Sequence, residues 1–376
     1  MNQTNQKEFH VGKPNIPNKA KLLSNFSEVL ESEWLSNNGP KVLELENQIQ
    51  ERLRVKHCIC VCNATIGIQL TIKALELSGE IIVPSFTFVA TANAIHWLGL
   101  KPIFCDINLK DHLIDPKHIE SLITPNTSAI MAVSLWGQPC NYNEIQKIAD
   151  NHNLKVIYDS AHSFGCKHQD IYLGNFGDAE VFSFHATKVF SCMEGGAITT
   201  NCDEIAEKLR LIRNFGFQGP DNSVLVGINA KMSEISAAYG LVSLCDLDRI
   251  INKNKVNFHL YCDLFAKFRE IEFLNFSKNH QTNYQYVVAK VIPEIRDSLV
   301  NFYHQKGIWV RKYFHPGCHK MKAYRDQISI YPELGNTSIV SSEIILFPTG
   351  LQVTEDDIKR FADILNDFLL AKSKPK

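Results

Sequence analysis

Helix-like and strand-like patterns alternate along the chain from about residue 41 to 240. Apolar residues recur at helical spacing in Val42–Leu53, and Thr65–Leu77 is predicted to be a second helix. Runs of consecutive apolar residues predict strands at Cys58–Cys62, Ile81–Val83, Pro102–Asp106, Ala129–Val133 and Val156–Asp159. Strands of this kind are typical of a parallel sheet with helices on both faces. The pattern therefore predicts an α/β domain.

The pattern changes after about residue 245. Leu244–Phe268 is predicted to be a long helix, Tyr284–Val291 alternates like a half-covered antiparallel strand, and Asp356–Leu370 is predicted to be the last helix. A chain of 376 residues exceeds one typical core. We predict a large α/β domain with an N-terminal arm at residues 1–245 and a small C-terminal α+β domain at residues 246–376.

Charge and hydropathy exclude several classes of protein. The formal net charge is −1, so no overall field attracts nucleic acid or an anionic membrane. No apolar run approaches the roughly 20 residues of a membrane helix. The first residues are polar and lack the apolar stretch of a signal peptide. These features predict a cytoplasmic protein with no membrane or nucleic-acid partner.

Cysteine is abundant, but its spacing does not indicate a metal site. The chain has 11 cysteines and no CxxC motif. Cys58, Cys60 and Cys62 alternate with apolar residues, which predicts that all three lie on one face of a strand. We expect buried free thiols in a reducing compartment and no bound metal.

Lys188 and Asp159 are the leading candidates for chemistry. Lys188 follows an apolar, hydroxyl-bearing segment that starts at Ser183, and Asp159 ends a predicted strand. This combination suits pyridoxal 5'-phosphate (PLP). The lysine would condense with the aldehyde, the acid would keep the pyridine nitrogen protonated, and Ser183 would bind the phosphate. His185 would contact either the phosphate or the substrate.

Three further positions each have a functional and a structural interpretation. Asn63-Ala64-Thr65 stands between a strand and a helix, so it could bind a phosphate, cap the helix, or do both. Phe88 could stack on a flat cofactor ring or pack in the core. His162 could contact the phenolic oxygen of the cofactor or be an ordinary core histidine.

With these residues assembled, the chain resembles the DegT/StrS-type sugar-nucleotide aminotransferases, a branch of the fold-type-I PLP enzymes. The resemblance rests on five motifs in order, which are Pro84–Phe88, Asp159–His162, Ser183–Lys188, Glu194–Gly196 and Gly227–Met232. It implies a mostly parallel, seven-stranded sheet and a homodimer whose active sites lie at the subunit interface.

The resemblance also assigns a role to Asn229 and shows two departures from the family pattern. Asn229 matches the asparagine that reaches the PLP phosphate of the neighbouring subunit. Ala64 stands where the family commonly has glycine. Lys231 stands where the family often has arginine. Lysine keeps the positive charge but lacks the planar guanidinium of arginine.

Within the family, the segments 34–40 and 184–190 resemble enzymes that make dTDP-4-amino-4,6-dideoxyglucose from a 4-keto-6-deoxy sugar and glutamate, for surface glycans such as the O-antigen of lipopolysaccharide. Trp34, His185, Tyr313 and His315 are the expected substrate contacts, although the turn at 311–316 could equally be a packing element. There are two alternatives. The protein could be a GDP-perosamine-type or 3-keto-sugar aminotransferase, or it could be a PLP-binding regulator that does not turn over a sugar. A nicotinamide-dependent dehydrogenase is disfavoured because no GxGxxG follows a strand.

Overall fold

The computed structural model describes residues 7–277, 280–326 and 334–373. Its helices are α1 (Lys19–Glu31), α2 (Pro40–Leu53), α3 (Ala64–Ala74), α4 (Val89–Trp97), α5 (Pro116–Leu122), α6 (Tyr142–His152), α7 (Asp203–Ile212), α8 (Glu234–Phe265), α9 (Pro293–Gln305), α10 (Lys322–Arg325), α11 (Gly335–Glu343) and α12 (Glu355–Ser373). Short 3-10 turns occupy Leu135–Gly137 and Cys318–Lys320.

The strands form one large sheet and three small ones. They are β1 (Phe9–His10), β2 (His57–Val61), β3 (Glu80–Pro84), β4 (Lys101–Cys105), β5 (Thr127–Val133), β6 (Lys155–Asp159), β7 (Lys167–His168), β8 (Ile171–Tyr172), β9 (Ala179–Ser183), β10 (Gly196–Thr200), β11 (Ile271–Phe273), β12 (His280–Gln281), β13 (Val287–Val291), β14 (Ile308–Trp309) and β15 (Ile344–Phe347).

The central sheet has seven strands in the order β2-β10-β9-β6-β5-β3-β4. The four pairs from β9 to β4 are parallel, whereas β10 is antiparallel to both of its neighbours. This arrangement confirms the predicted mostly parallel, seven-stranded α/β fold. The carboxyl ends of six strands, and the start of β10, therefore lie at one edge of the sheet, where ligands bind in folds of this kind.

Apolar side chains cover both faces of this sheet. Cys60 and Phe182 belong to the core on one face, which also contains residues of α2 and α8. Val61 and Val181 belong to the core on the other face, with residues of α3 and α7. Because side chains alternate across a strand, consecutive apolar residues are what two covered faces require.

A second core lies in the C-terminal part of the chain. The antiparallel sheet β11-β13-β15 packs with the end of α8, α9 and α12 around aromatic residues such as Phe273, Phe347 and Phe361. The strand predicted from Tyr284 begins only at Val287. Residues 284–286 instead approach the loop that carries Lys188, as described below.

The long helix α8 starts ten residues earlier than predicted, at Glu234 rather than Leu244. Gly240 lowers the helical tendency of the preceding sequence, but here it allows close packing. A Cβ at Gly240 would lie 2.6 Å from Sγ of Cys192 and 3.0 Å from Leu45. The division predicted between residues 245 and 246 therefore lies within one continuous helix, and we retain it only as a proposal.

The prediction that Cys58, Cys60 and Cys62 share one face is wrong for Cys62. Cys58 and Cys60 are buried in the same core, but β2 ends at Val61, and Cys62 packs against the opposite core. All 11 cysteines are free thiols. In the described part of the chain, no three potential metal ligands are grouped together, and no helix has the length and apolarity to cross a bilayer.

Candidate active site

A cavity of about 620 Å³ opens at the carboxyl edge of the central sheet. Nearly all the residues that the sequence singled out for cofactor binding surround it. Its lining includes Asn63, Ala64, Thr65, Phe88, Asp159, His162, Ser183, His185, Lys188, Glu194, Tyr286 and Tyr313. Most of these residues lie at or after the ends of β2, β3, β6 and β9, because these strands run in one direction and deliver their following loops to the same edge. Tyr286 and Tyr313 come from the C-terminal part of the chain.

Asp159 is the last residue of β6, and its carboxylate is held from two sides. The Thr91 hydroxyl donates to Oδ2 at 2.7 Å, and the Ala161 N–H donates to Oδ1 at 3.1 Å. Burial raises the pKa of Asp159, while these two hydrogen bonds and the nearby Lys188 ammonium lower it. The carboxylate is thus fixed in orientation, and a cation placed in the cavity would stabilise its charged form.

Lys188 lies in the loop between β9 and β10. Its Nζ donates to the hydroxyl of Tyr286 at 3.1 Å. Burial lowers the pKa of Lys188 to about 8, although the Asp159 carboxylate opposes that shift. A much larger fraction of this amine is therefore neutral near physiological pH than in an ordinary lysine, and a neutral amine is what attacks an aldehyde.

The start of α3 forms one end of the cavity. Asn63 is the N-cap of this helix, and its side chain accepts a hydrogen bond from the Ile66 N–H at 2.9 Å. The capping interpretation is therefore correct. It is compatible with anion binding, because a helix N-terminus carries partial positive charge.

Gly196, the first residue of β10, lies directly against this helix start. A Cβ on Gly196 would lie 2.7 Å from the backbone N of Ala64 and 2.8 Å from the carbonyl carbon of Asn63. These are contacts to backbone atoms, which cannot rotate away. Glycine at this position therefore lets β10 approach the segment at residues 63–65, which we call the phosphate loop.

His162 is buried, and its protonation is fixed by its surroundings. Its Nδ1 is 3.4 Å from the Trp136 backbone N–H, which donates to it. Burial and then the Lys188 charge hold the pKa of His162 well below its usual value. The ring is therefore neutral, with its proton on Nε2, and can act as a hydrogen-bond donor.

Aromatic residues form the mouth of the cavity. Phe88 immediately precedes α4, and 58% of its surface is exposed, so its ring is available for stacking. Tyr313 stacks on Phe314 with ring centres 5.1 Å apart, and the Arg311 guanidinium lies 5.0 Å from the Tyr313 ring centre.

His185 lies at the rim of the cavity beside Lys188. Its Nδ1 is 2.8 Å from the Thr187 hydroxyl, and its Nε2 is 3.4 Å from a carboxylate oxygen of Glu194. Ser183 ends β9, and its hydroxyl accepts from the His185 N–H at 3.4 Å. Two polar side chains, His185 and Glu194, are thus available to a ligand that enters from outside.

Three of the predicted site residues lie outside the cavity. Asn229 is exposed and pairs with Asn214 through the backbone. Trp34 is half exposed in a separate shallow surface depression. His315 is exposed, and its Nδ1 is 3.2 Å from the carbonyl oxygen of Ser341. Within one chain, therefore, these three residues do not contact the group around Lys188, and their roles stay predictions.

Thr91 and Tyr286 are site residues that the sequence analysis missed, and Glu194 was named only as part of the motif Glu194–Gly196. Thr91 lies four positions after Thr87 on the same side of the loop and helix that follow β3, and the two hydroxyl oxygens are 3.0 Å apart. Residues four positions apart are neighbours on a helix, so this spacing could have pointed to Thr91 from the sequence alone. Tyr286 gave no such signal, because its contact with Lys188 joins residues 98 positions apart.

Comparison with known proteins gives matches along almost the entire chain. The DegT/DnrJ/EryC1/StrS aminotransferase family matches residues 18–366. A dTDP-4-amino-4,6-dideoxy-D-glucose transaminase from Shigella dysenteriae is 35% identical over 370 residues, which cover 96% of this chain and 99% of that protein. GDP-perosamine synthase from Caulobacter vibrioides is 31% identical over 356 residues, covering 91% of this chain and 94% of that protein.

Solved structures agree with this assignment. The crystal structure of DesI in the presence of its TDP-sugar product has a TM-score of 0.92 and 38% sequence identity, and the match covers 97% of this chain and 95% of DesI. The order of the sheet, the position of the cavity and the full-length sequence matches point the same way. The chain belongs to the DegT/DnrJ/EryC1/StrS aminotransferase family.

Proposed function

We propose that this protein is a PLP-dependent aminotransferase that transfers the amino group of glutamate to dTDP-4-keto-6-deoxyglucose, giving dTDP-4-amino-4,6-dideoxyglucose. The observation that carries the proposal is the single cavity that brings the Lys188 amine, the Asp159 carboxylate and the start of α3 together. The name of the Shigella relative and the TDP-sugar product of DesI support the choice of substrate.

The residues around the cavity fit PLP. Asp159 would hold the protonated pyridine nitrogen, His162 would donate to the phenolic oxygen, and Phe88 would stack on the ring. The phosphate would lie at Asn63-Ala64-Thr65 and Ser183. When bound, the cofactor would supply an aldehyde that joins covalently to amines and a ring that withdraws electrons from the adjacent carbon.

In this proposal, Lys188 moves the protons. Its neutral Nζ would take the proton from the carbon that bears the amino group of glutamate. The amino group would stay on the cofactor, and water would supply the keto oxygen of the departing 2-oxoglutarate. The same amine would later give a proton to C4 of the sugar, after the keto oxygen there has left as water and the retained nitrogen has taken its place. A pKa of about 8 allows Lys188 to act in both directions near physiological pH.

We propose that the sugar nucleotide enters through the mouth of the cavity. Tyr313 and His185 lie there and would contact the sugar, and Glu194 would accept hydrogen bonds from its hydroxyls. His315 and Trp34 lie outside the cavity, so any contact they make would be with a more distant part of the substrate or across a subunit interface.

A homodimer would complete the site. Asn229 is exposed, and nearby Val226 and Ile228 have 98% and 43% of their surfaces exposed. Apolar side chains of this kind are suited to burial against a second copy. In that arrangement, Asn229 would reach the phosphate bound in the neighbouring subunit. The many free thiols support the cytoplasm as the proposed location. Surface-glycan synthesis is the use that we propose for the product.

The proposal is tested by incubating the purified protein with PLP, glutamate and a panel of nucleotide-linked keto sugars, with mass spectrometric detection of products. We expect dTDP-4-keto-6-deoxyglucose to give an amino sugar, and glutamate to give an equal amount of 2-oxoglutarate. The second candidate substrate is the GDP-linked 4-keto-6-deoxy sugar, which the 31% identity with GDP-perosamine synthase favours. Cofactor binding without any product from glutamate and any sugar would instead indicate a PLP-binding regulator.

A further inference from the structure

Gln285, in the segment 283–286, contacts the loop that carries Lys188 on both sides of the lysine. Its Nε2 donates to the carbonyl oxygen of Thr187 at 2.8 Å, and its Oε1 accepts from the N–H of Val189 at 3.0 Å. A single side-chain amide thus binds the two backbone groups that flank Lys188. This contact fixes the backbone from which the lysine side chain extends.

Tyr286, the next residue, contacts the amine itself. The Lys188 Nζ donates to its hydroxyl at 3.1 Å. The Tyr286 ring is buried against His162 and Trp136, with ring centres 4.3 Å and 5.4 Å away. Burial raises the pKa of Tyr286, so its hydroxyl keeps its proton at physiological pH.

The same segment is anchored to the loop that follows Asp159. The Asn283 Nδ2 donates to the carbonyl oxygens of His162 at 2.9 Å and Phe164 at 3.2 Å. The Asn283 Oδ1 accepts from the Gln285 N–H at 3.1 Å. Asn283 is fully buried, so these bonds are shielded from competing water. The segment 283–286 therefore connects the loop of the acid with the loop of the lysine.

We propose that Gln285 and Tyr286 are positioning residues that hold the backbone and the amine of Lys188 in the geometry needed to attack the cofactor aldehyde. The proposal rests on the proposed function, since it takes Lys188 as the point of attachment. Lysine has a flexible four-carbon stem that loses rotamer entropy when it is fixed. Holding the amine beforehand removes part of that cost from the reaction.

The experiment measures how fast Lys188 of the cofactor-free protein bonds to added PLP. Samples are reduced with borohydride at successive times, and the Lys188 peptide is quantified by mass spectrometry. The variants are Tyr286→Phe and Gln285→Met. Their matched controls are Tyr284→Phe, in the same segment, and Gln281→Met, an exposed residue of β12. We expect attachment to be about tenfold slower in each variant and unchanged in the controls, as loosened positioning predicts.

A second readout, without cofactor, separates positioning from general stability. Competitive labelling with acetic anhydride at a series of pH values gives the pKa of the Lys188 amine. The titratable groups that face this amine are Asp159, His162 and Tyr286, with His185 and Glu194 at the rim. Tyr286→Phe should shift the labelling curve to lower pH, because the ammonium loses a hydrogen bond, whereas Tyr284→Phe should leave it in place.

Each outcome decides the proposal. Unchanged attachment rates in both variants would overturn it, as would slower attachment accompanied only by lower thermal stability and an unmoved labelling curve. Tyr286→Phe removes one oxygen and keeps the ring, so it carries the test if Gln285→Met does not fold. Failure of the unmodified protein to attach PLP at Lys188 would instead refute the proposed function.

Discussion

Asp159 shows how a single residue can be unfavourable for the empty protein and useful for the proposed reaction. Burial raises its pKa despite hydrogen bonds from Thr91 and Ala161 and the charge of Lys188. A carboxyl group with a raised pKa lowers the stability of the folded protein as pH rises above its ordinary pKa, because the folded state holds the charge less well than the unfolded state. A bound pyridinium would offset that effect.

Replacing Asp159 with Asn should therefore separate stability from activity. At pH 7 we expect the cofactor-free variant to unfold at the same or a higher temperature than the unmodified protein. The difference should shrink as pH falls and vanish well below the ordinary aspartate pKa of about 3.9, where the carboxyl group is neutral in both states. Turnover should fall about 100-fold or more, since the cofactor loses its charged partner.

Thermal unfolding as a function of pH and steady-state kinetics check this prediction. Asp170→Asn, at an exposed position, is the control and should change neither quantity. A lower unfolding temperature at pH 7 together with unchanged turnover would contradict the assigned role of Asp159.

The residues that could be predicted from the sequence share a simple property, since each lies at the end of a strand or in the loop that follows it. Asn63, Asp159 and Lys188 belong to this group, because strand ends meet at one edge of a parallel sheet. Tyr286 could not be predicted, since its position against Lys188 depends on packing between segments 98 positions apart. The Thr91 contact with Asp159, which spans 68 positions, depends on packing in the same way.

At the scale of elements, the site depends on how closely β10 approaches the start of α3. Gly196 permits that approach, and any side chain there would meet backbone atoms of Asn63 and Ala64. The phosphate loop would then have to move. Its N–H groups would lose the alignment that anion binding at a helix N-terminus requires.

Gly196→Ala should weaken cofactor binding. Overpacking of this kind costs about 1–3 kcal/mol, so we expect affinity for PLP to fall about tenfold or more, with some loss of thermal stability. Gly335→Ala is the matched control, because no atom of the described residues, apart from its chain neighbours and its own helix backbone, lies within 4 Å of a Cβ at that position. Equilibrium titration of the cofactor-free proteins measures the effect, and equal affinities in the two variants would argue against this packing.

The elements themselves were predicted with uneven success, for identifiable physical reasons. Strands of the central sheet were recognisable because both of their faces are covered, which makes their residues consecutively apolar. The predicted starts of the strand at Tyr284 and of α8 were wrong, although both elements exist. Gln285 and Tyr286 contact the lysine loop rather than a strand, and Gly240 suits a tightly packed helix although it is a poor helix former.

At the scale of the whole molecule, the role proposed for Asn229 would connect activity to assembly. It lies outside the cavity of its own chain, so its proposed contact with a phosphate requires a second copy. In a homodimer with shared sites, Lys188 and Asn229 of each site come from different chains. In this arrangement, two variants that are inactive alone would restore activity when they form a mixed dimer.

Mixing Lys188→Ala with Asn229→Ala should therefore recover activity. Random exchange of equal amounts makes half of the dimers mixed, each with one intact site, so turnover should reach about a quarter of the unmodified value. The mixture is unfolded, refolded together and assayed with glutamate and the keto sugar. Either variant refolded alone is the control. No recovery in mixed dimers that are verified by mass would contradict the shared site.

The proposed function requires that PLP attach to Lys188, so the lysine that PLP modifies is the decisive observation. The protein is loaded with PLP, reduced with borohydride, digested and mapped by mass spectrometry. We expect a single modified lysine, Lys188, and no modification in Lys188→Ala treated in parallel. Modification at a different lysine, or none at all in protein that binds PLP, would contradict it.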